Sequence, residues 1–198
     1  QHLLQKEKHD DLTQLQSIIP KDVTCLYIRQ KQAKGLGDAV LTAKTIIGPN
    51  PFAVILADDV ISRHEKSEHY CLQNLLAAYQ ETQQNILSVE QVPPHKTHQY
   101  GIVSPQSTTL EKDTSLFPIN GIIEKPSPEH APSSFGVVGR YLLNPRIFHY
   151  LEQTTPDKNN EIQLTDALAA LLAEQKIYAC KLQTQRFDCG SKIGYLEA

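Results

Sequence analysis

The chain has 198 residues, a formal net charge of −3, and 40% apolar against 21% charged side chains. These are the proportions of one ordinary globular domain with room for a sizeable core. No segment concentrates Lys and Arg as a protein gripping phosphates requires, which excludes nucleic acid as the expected partner. No apolar stretch nears the roughly 20 residues of a membrane span, and no secretory signal precedes the first helix. A cytoplasmic protein without a membrane partner is expected. The four cysteines, Cys25, Cys71, Cys180 and Cys189, form no Cys-x-x-Cys pair and have no His at metal-ligand spacing. Three interrupt apolar runs, where a reduced thiol acts as a small core side chain. The chain opens with Gln1 inside a predicted helix and contains no methionine, so a piece of a longer protein is expected.

In chain order, Leu3, Leu4, Leu12, Leu15 and Ile18 among charges predict a surface helix ended by Pro20. Val23 to Arg29 alternates and is rich in β-branched and aromatic residues, the pattern of a strand. A glycine loop, Lys34-Gly35-Leu36-Gly37, leads to a helix from Asp38 to about Ile47, with Asp38 as its expected cap. Phe52 to Ala57 is a short apolar run, polar only at its C-terminal end, as expected of a central strand buried on both faces. Helical spacing follows from Cys71 to Thr82. Strands are expected at Ile86–Val92 and Tyr100–Ser104, with a polar hairpin region continuing to Phe117. Further strands are expected at Asn120–Glu124 and Phe135–Leu143, separated by the Pro126–Pro132 loop. A helix over about Pro145–Leu151 comes next. Glu161–Glu174 is the best-defined helix, its start signalled by a capping-box variant, Asn160 and Gln163. A strand over Ile177–Leu182 and a helix from about Ser191 close the chain. Such alternation predicts an α/β fold with helices on both faces of a mixed, mostly parallel sheet. In that architecture ligands bind at the carboxyl ends of strands.

Four groups at such ends could carry chemistry. Asp58-Asp59 follows a buried run, and adjacent carboxylates there call for solvent or a cation. Mg²⁺ takes one or two carboxylates plus phosphate oxygens; the plain alternative is an Asp-rich turn. Gln30 could pair with a base edge, and Gly35 and Gly37 would let backbone approach a flat ring. That junction could equally be a simple turn, since the third glycine of the dinucleotide fingerprint is absent. Glu124-Lys125-Pro126 offers an acceptor for sugar hydroxyls beside a point charge for phosphate, or else an exposed ion pair worth little. Asp188-Cys189-Gly190-Ser191-Lys192 offers a second metal ligand and a phosphate contact, or else a glycine turn capped by Ser191. Arg140, Glu161 and Asp166 are suggestive, but each has a comfortable structural use; Glu161 in a first helical turn suits the macrodipole. The eight histidines stand singly and receive no role. No serine-hydrolase motif occurs.

Taken in register, these groups resemble the bacterial UDP-glucose pyrophosphorylases. The likeness rests on Arg29-Gln30, Lys34-Gly35-Leu36-Gly37-Asp38 and Pro51 through Asp59. It continues through Tyr100-Gly101-Ile102-Val103, Ile123-Glu124-Lys125-Pro126 and Val137-Val138-Gly139-Arg140-Tyr141, then Asn160 through Ala167 and Asp188 through Tyr195. It runs from about residue 23 to the end, and its specificity lies in the register of the pieces.

The resemblance implies a Rossmann-like nucleotide-diphospho-sugar transferase fold, incomplete at the N-terminus. Residues 1–198 would be one nucleotidyltransferase domain lacking the family's glycine-rich triphosphate loop and its C-terminal helices, and so unable to turn over alone. It also implies UTP and glucose 1-phosphate as substrates, UDP-glucose and pyrophosphate as products, Mg²⁺ as cofactor and a homo-oligomer at full length. Gln30 and Gly35 would contact uracil, and Asp58 and Asp188 would hold Mg²⁺. Asp59, Gly101, Glu124 and Gly139 would line the sugar pocket, with Lys125 and Lys192 on phosphate and Asp58 and Lys125 the catalytic pair. Other readings are a nucleotidyltransferase for dTDP- or CDP-sugars, a GT-A glycosyltransferase and a non-catalytic sugar-nucleotide-binding module.

Overall fold

Two rows of apolar side chains on opposite faces of one sheet organise the molecule. The computed structural model describes residues 9–62, 71–107, 109, 111 and 114–198; Leu3, Leu4, His64 and His69 lie outside them. The strands are β1 (Phe52–Ile55), β2 (Asp59–Ile61), β3 (Asn85–Gln91), β4 (Gly101–Pro105), β5 (Leu116–Glu124), β6 (Phe135–Leu143), β7 (Ile177–Lys181) and β8 (Arg186–Asp188). The helices are α1 (His9–Ser17), α2 (Gly35–Thr42), α3 (Lys44–Ile47), α4 (Cys71–Thr82), α5 (Ile147–Gln153), α6 (Leu164–Leu171) and α7 (Lys192–Glu197). Six strands form one sheet in the order β1-β6-β3-β7-β5-β4, and β2 pairs with β8 apart from it.

Successive side chains of a strand point to opposite faces, and this assigns the helices. Leu87 and Val89 of β3, Tyr141 and Leu143 of β6, and Ile177 and Ala179 of β7 join one core with α5 and α6. Their neighbours Ile86, Leu142 and Cys180 turn the other way, onto Leu75 and Ala78 of α4. Helices therefore cover both faces, as expected. Phe52 and Phe148 stack with centroids 5.1 Å apart and tie β1 to α5. All four cysteines are free. Burial pushes the Cys180 thiol up to about 11, with nearby Cys71 adding to it, so it stays protonated at neutral pH.

Several expectations need correcting. The sheet is mixed, but among the described residues only β3–β7 pairs in parallel; β1–β6, β3–β6, β4–β5, β4–β6 and β5–β7 are antiparallel. The share of parallel pairing is therefore smaller than the helix–strand alternation predicted, because β4, β5 and β6 follow one another without intervening α-helices. β1 stands at the sheet's edge and not at its centre, and Ile55 is 54% exposed. Val23–Arg29 has no regular secondary structure: no described strand pairs with it, and Tyr27 is 91% exposed. Alternation supplies a strand's faces but not its hydrogen-bonding neighbour.

Helix starts also moved. α2 begins at Gly35, and Asp38 accepts from Gln30 Nε2 at 2.6 Å instead of capping. α6 begins at Leu164 with no side-chain cap, so Glu161 lies before the helix and not in its first turn. Strands β2 and β8 were not foreseen, and β5 begins earlier than expected.

Leu168 of α6 is fully enclosed in the larger core. Leu168→Ala should lower unfolding free energy by about 2–5 kcal/mol, read from the midpoint of urea denaturation at unchanged slope.

Candidate active site

The short β2–β8 pair brings distant parts of the chain together. Asp59 stands opposite Asp188 in antiparallel register, and Cys189 N–H donates to the Asp58 carbonyl at 2.7 Å. An ideal Cβ on Gly190 would lie 3.1 Å from Asp188 Oδ1 and 3.2 Å from Asp58 Oδ2. The two carboxylates thus converge on one small space that the glycine leaves open. Neither has an ion-pair partner among the described residues. Two convergent, uncompensated carboxylates fit a hard divalent cation that takes its remaining ligands from phosphate and water.

Asp59 is held differently. It is 8% exposed, and its Oδ2 accepts from Gly139 N–H at 2.6 Å. Its Oδ1 accepts from Arg186 Nη1 at 2.5 Å. The same guanidinium donates to Glu90 Oε1 through Nε at 2.9 Å and Nη2 at 2.6 Å, and to Tyr100 Oη at 2.8 Å. Burial disfavours the Arg186 charge, but the Glu90 and Asp59 hydrogen bonds outweigh it and hold the group above its ordinary range. Arg140 donates to the carbonyls of Leu56, Gly139 and Asp59, which is the structural use its position allowed.

The opposite wall comes from β4, β5 and the start of α6. Gly101 faces Glu124 across the β4–β5 ladder, and Thr165 Oγ1 donates to Glu124 Oε2 at 2.7 Å. Lys125 takes a positive φ of 45°, a conformation uncommon outside glycine and found where surroundings impose it. Its N–H donates to the Tyr100 carbonyl at 2.9 Å, and its Nζ lies 3.3 Å from Glu124 Oε1. Burial raises Tyr141 Oη above its usual range, with Glu124 and Asp59 adding to the effect.

Asp58, Asp59, Gly101, Glu124, Lys125, Gly139 and Asp188 all line one cleft of about 370 Å³. Gln30 and Gly35 are brought together, Gln30 Nε2 donating to the Gly35 carbonyl at 3.2 Å, but neither lines that cleft; their neighbour Leu36 does. Gly35 has φ +81°, and a Cβ there would lie 3.0 Å from Glu161 Cβ and from the Ile162 carbonyl. Lys192 is exposed at the start of α7 and does not reach the cleft, while Ser191 caps the helix as foreseen. The loop before α6 is pinned by Asp157, which accepts from Glu161 N–H, Asn159 N–H and Gln163 Nε2. These bonds, that from Glu161 first, lower the Asp157 pKa. Its hold on the loop is therefore complete above the ordinary carboxylate range and fades as pH falls below it.

Arg186, Glu90, Tyr100, Thr165 and Gln163 were missed in the sequence. Arg186 stands two residues before Asp188, so a strand there would have put both side chains on one face. Three residues were too few to read as one.

A Cβ on Gly139 would lie 2.5 Å from Asp59 Oδ2 and 2.8 Å from Leu56 Cβ. Both neighbours are fixed by backbone bonds, so Gly139→Ala should cost about 1–3 kcal/mol. Thermal melting alongside Gly136→Ala, whose Cβ would meet Val92 and Tyr100 atoms only at 3.0 Å or more, should show the larger loss at residue 139.

Comparison with known proteins bears on what this cleft serves. The family model for nucleotidyl transferases matches residues 3–198. The chain is 41% identical over 177 residues to the UTP–glucose-1-phosphate uridylyltransferase of Pseudomonas aeruginosa, an alignment covering 89% of this chain and 61% of that protein. It superposes on a UTP-bound UGPase from Acinetobacter baumannii with TM-score 0.84 and 40% identity, over 99% of this chain and 66% of the other. A UDP-glucose pyrophosphorylase complexed with UDP-glucose superposes equally well, TM-score 0.84 and 40% identity, over 97% and 70%. The chain spans 55–65% of the length of the curated relatives it matches. On these grounds the chain belongs to the nucleotidyl transferase family.

Proposed function

We propose that the protein carrying this chain transfers the uridylyl group of UTP to glucose 1-phosphate, giving UDP-glucose and pyrophosphate. The observation that carries this reading is the convergence of Asp58 Oδ2 and Asp188 Oδ1 on one small space in the cleft lined also by Glu124 and Lys125. The family membership and the names of relatives at about 40% identity supply the substrate class.

In this reading a phosphate oxygen of glucose 1-phosphate attacks the α-phosphorus of UTP in line, and the bond to the bridging oxygen of pyrophosphate breaks. The nucleophile is already an anion, so no strong general base is required. The difficulty is electrostatic: two polyanions must meet. Asp58 and Asp188 would hold a Mg²⁺, which when bound offsets charge on the nucleotide phosphates. Lys125 supplies a point charge for the sugar phosphate, and Glu124, steadied by Thr165, accepts from sugar hydroxyls. Gly101 and Gly139 keep the sugar's side of the cleft open. Gln30 and Gly35, already hydrogen-bonded to each other, are assigned to uracil. A cytoplasmic setting suits these substrates, and no described helix is long and apolar enough to cross a membrane.

Release of pyrophosphate from UTP plus glucose 1-phosphate, in a coupled assay of the protein that carries this chain, tests the assignment. dTTP and CTP should be poor substitutes; a preference for either would overturn the uridylyl reading. Asp58→Asn and Lys125→Ala should each lower kcat by about 10²–10³-fold with unchanged circular dichroism. Normal turnover in either variant would remove that residue from the site.

A further inference from the structure

The cleft presents a problem of charge sorting. Asp58 and Asp59 are adjacent in sequence, and Asp188 stands directly across from Asp59. A cation entering here would meet three carboxylates, with Glu90 beyond them on the Arg186 guanidinium. Yet among the described residues no three acidic, His or Cys side chains converge as a metal site. The reason is visible at Asp59: one oxygen is taken by Gly139 N–H and the other by Arg186.

We propose that Arg186 is a positioning residue that withdraws Asp59 and Glu90 from cation binding, so that the metal is held by Asp58 and Asp188 alone. Arg186 is built for this. Its side chain is 6% exposed, its guanidinium lies 5.3 Å from the Tyr100 ring centroid, and its planar fork reaches both acids at once. It sits two residues before Asp188 on β8, so the two side chains leave the same face of the strand pair in opposite roles. The guanidinium neutralises the acid diagonally across from it, on β2, and leaves Asp188 with a backbone hydrogen bond from Gly190 but no cationic partner among the described residues. A lysine at this position would be a point charge unable to serve both partners.

This inference rests on the metal-dependent reading above, and the test separates the two. Mn²⁺ binding is followed by electron paramagnetic resonance without nucleotide, in wild type, Asp58→Asn, Arg186→Gln, Arg186→Lys and the Asp59→Asn/Arg186→Gln double variant. Asp58→Asn should lose most Mn²⁺ affinity; if it binds as wild type does, the metal reading itself falls. Released carboxylates add ligand charge, so Arg186→Gln should bind Mn²⁺ about tenfold more tightly or take a second ion. The double variant, with Glu90 alone still released, should lose most of that gain, a repair that a merely structural role for Arg186 does not predict. Arg186→Lys, which keeps a charge if Arg186→Gln fails to fold, should be several-fold tighter than wild type. Unchanged or weaker Mn²⁺ binding in a folded Arg186 variant, or a double variant that stays tight, overturns the sorting role and leaves the metal pair standing.

Discussion

A buried carboxylate held by a backbone N–H on one side and a guanidinium on the other joins the parts of this molecule that matter. Asp59 takes Gly139 of β6 with one oxygen and Arg186 of β8 with the other. Through that residue the main sheet, the β2–β8 pair and the acidic end of the cleft share one geometry. A charge in such surroundings is tolerable only when every lone pair is used. Removing one partner of a buried pair typically costs about 3–5 kcal/mol, because the other is left uncompensated. The arrangement is therefore more a constraint on shape than a source of net stability.

Around this anchor the cleft is divided by electrostatics. On one side Asp58 and Asp188 converge without a cationic partner among the described residues. On the other, Lys125 is held at positive φ by a backbone bond to Tyr100. Tyr100 links the two sides, since its carbonyl receives Lys125 and its hydroxyl receives Arg186. Such a cleft sets paired carboxylates and a lysine a few side chains apart, which is what the proposed phosphoryl chemistry between two anions requires. Asp166, nearby on α6, has its carboxyl raised by burial first and then by Glu124 and Asp157, a further mark of how much negative charge gathers here.

Where the sequence was misread, neighbours were the cause. Val23–Arg29 has the composition of a strand and none of a strand's pairing. Phe52–Ile55 has the composition of a central strand and stands at an edge. Glu161 lies outside a helix it was expected to open, because the Asp157 network satisfies the local N–H groups in place of a capping box. In the first two cases strand propensity was decided by pairing with distant parts of the chain; in the third a side-chain network within the same loop displaced the helix start.

The sequence by itself determined the α/β class, the helix at Cys71–Thr82, the strand at Phe135–Leu143 and the Ser191 cap, because periodicity and capping act over a few residues. It also named Asp58, Asp59, Gly101, Glu124, Lys125, Gly139 and Asp188, which share one cleft. Only the tertiary structure decided that carboxylate oxygens of Asp58 and Asp188 both come close to Gly190 and that Asp59 is held by Gly139 and Arg186. Arg186 could not be read as its partner, since the two lie on β2 and β8, far apart in the chain. A charge's role depends on what stands opposite it, and strand pairing, not spacing along the chain, puts it there.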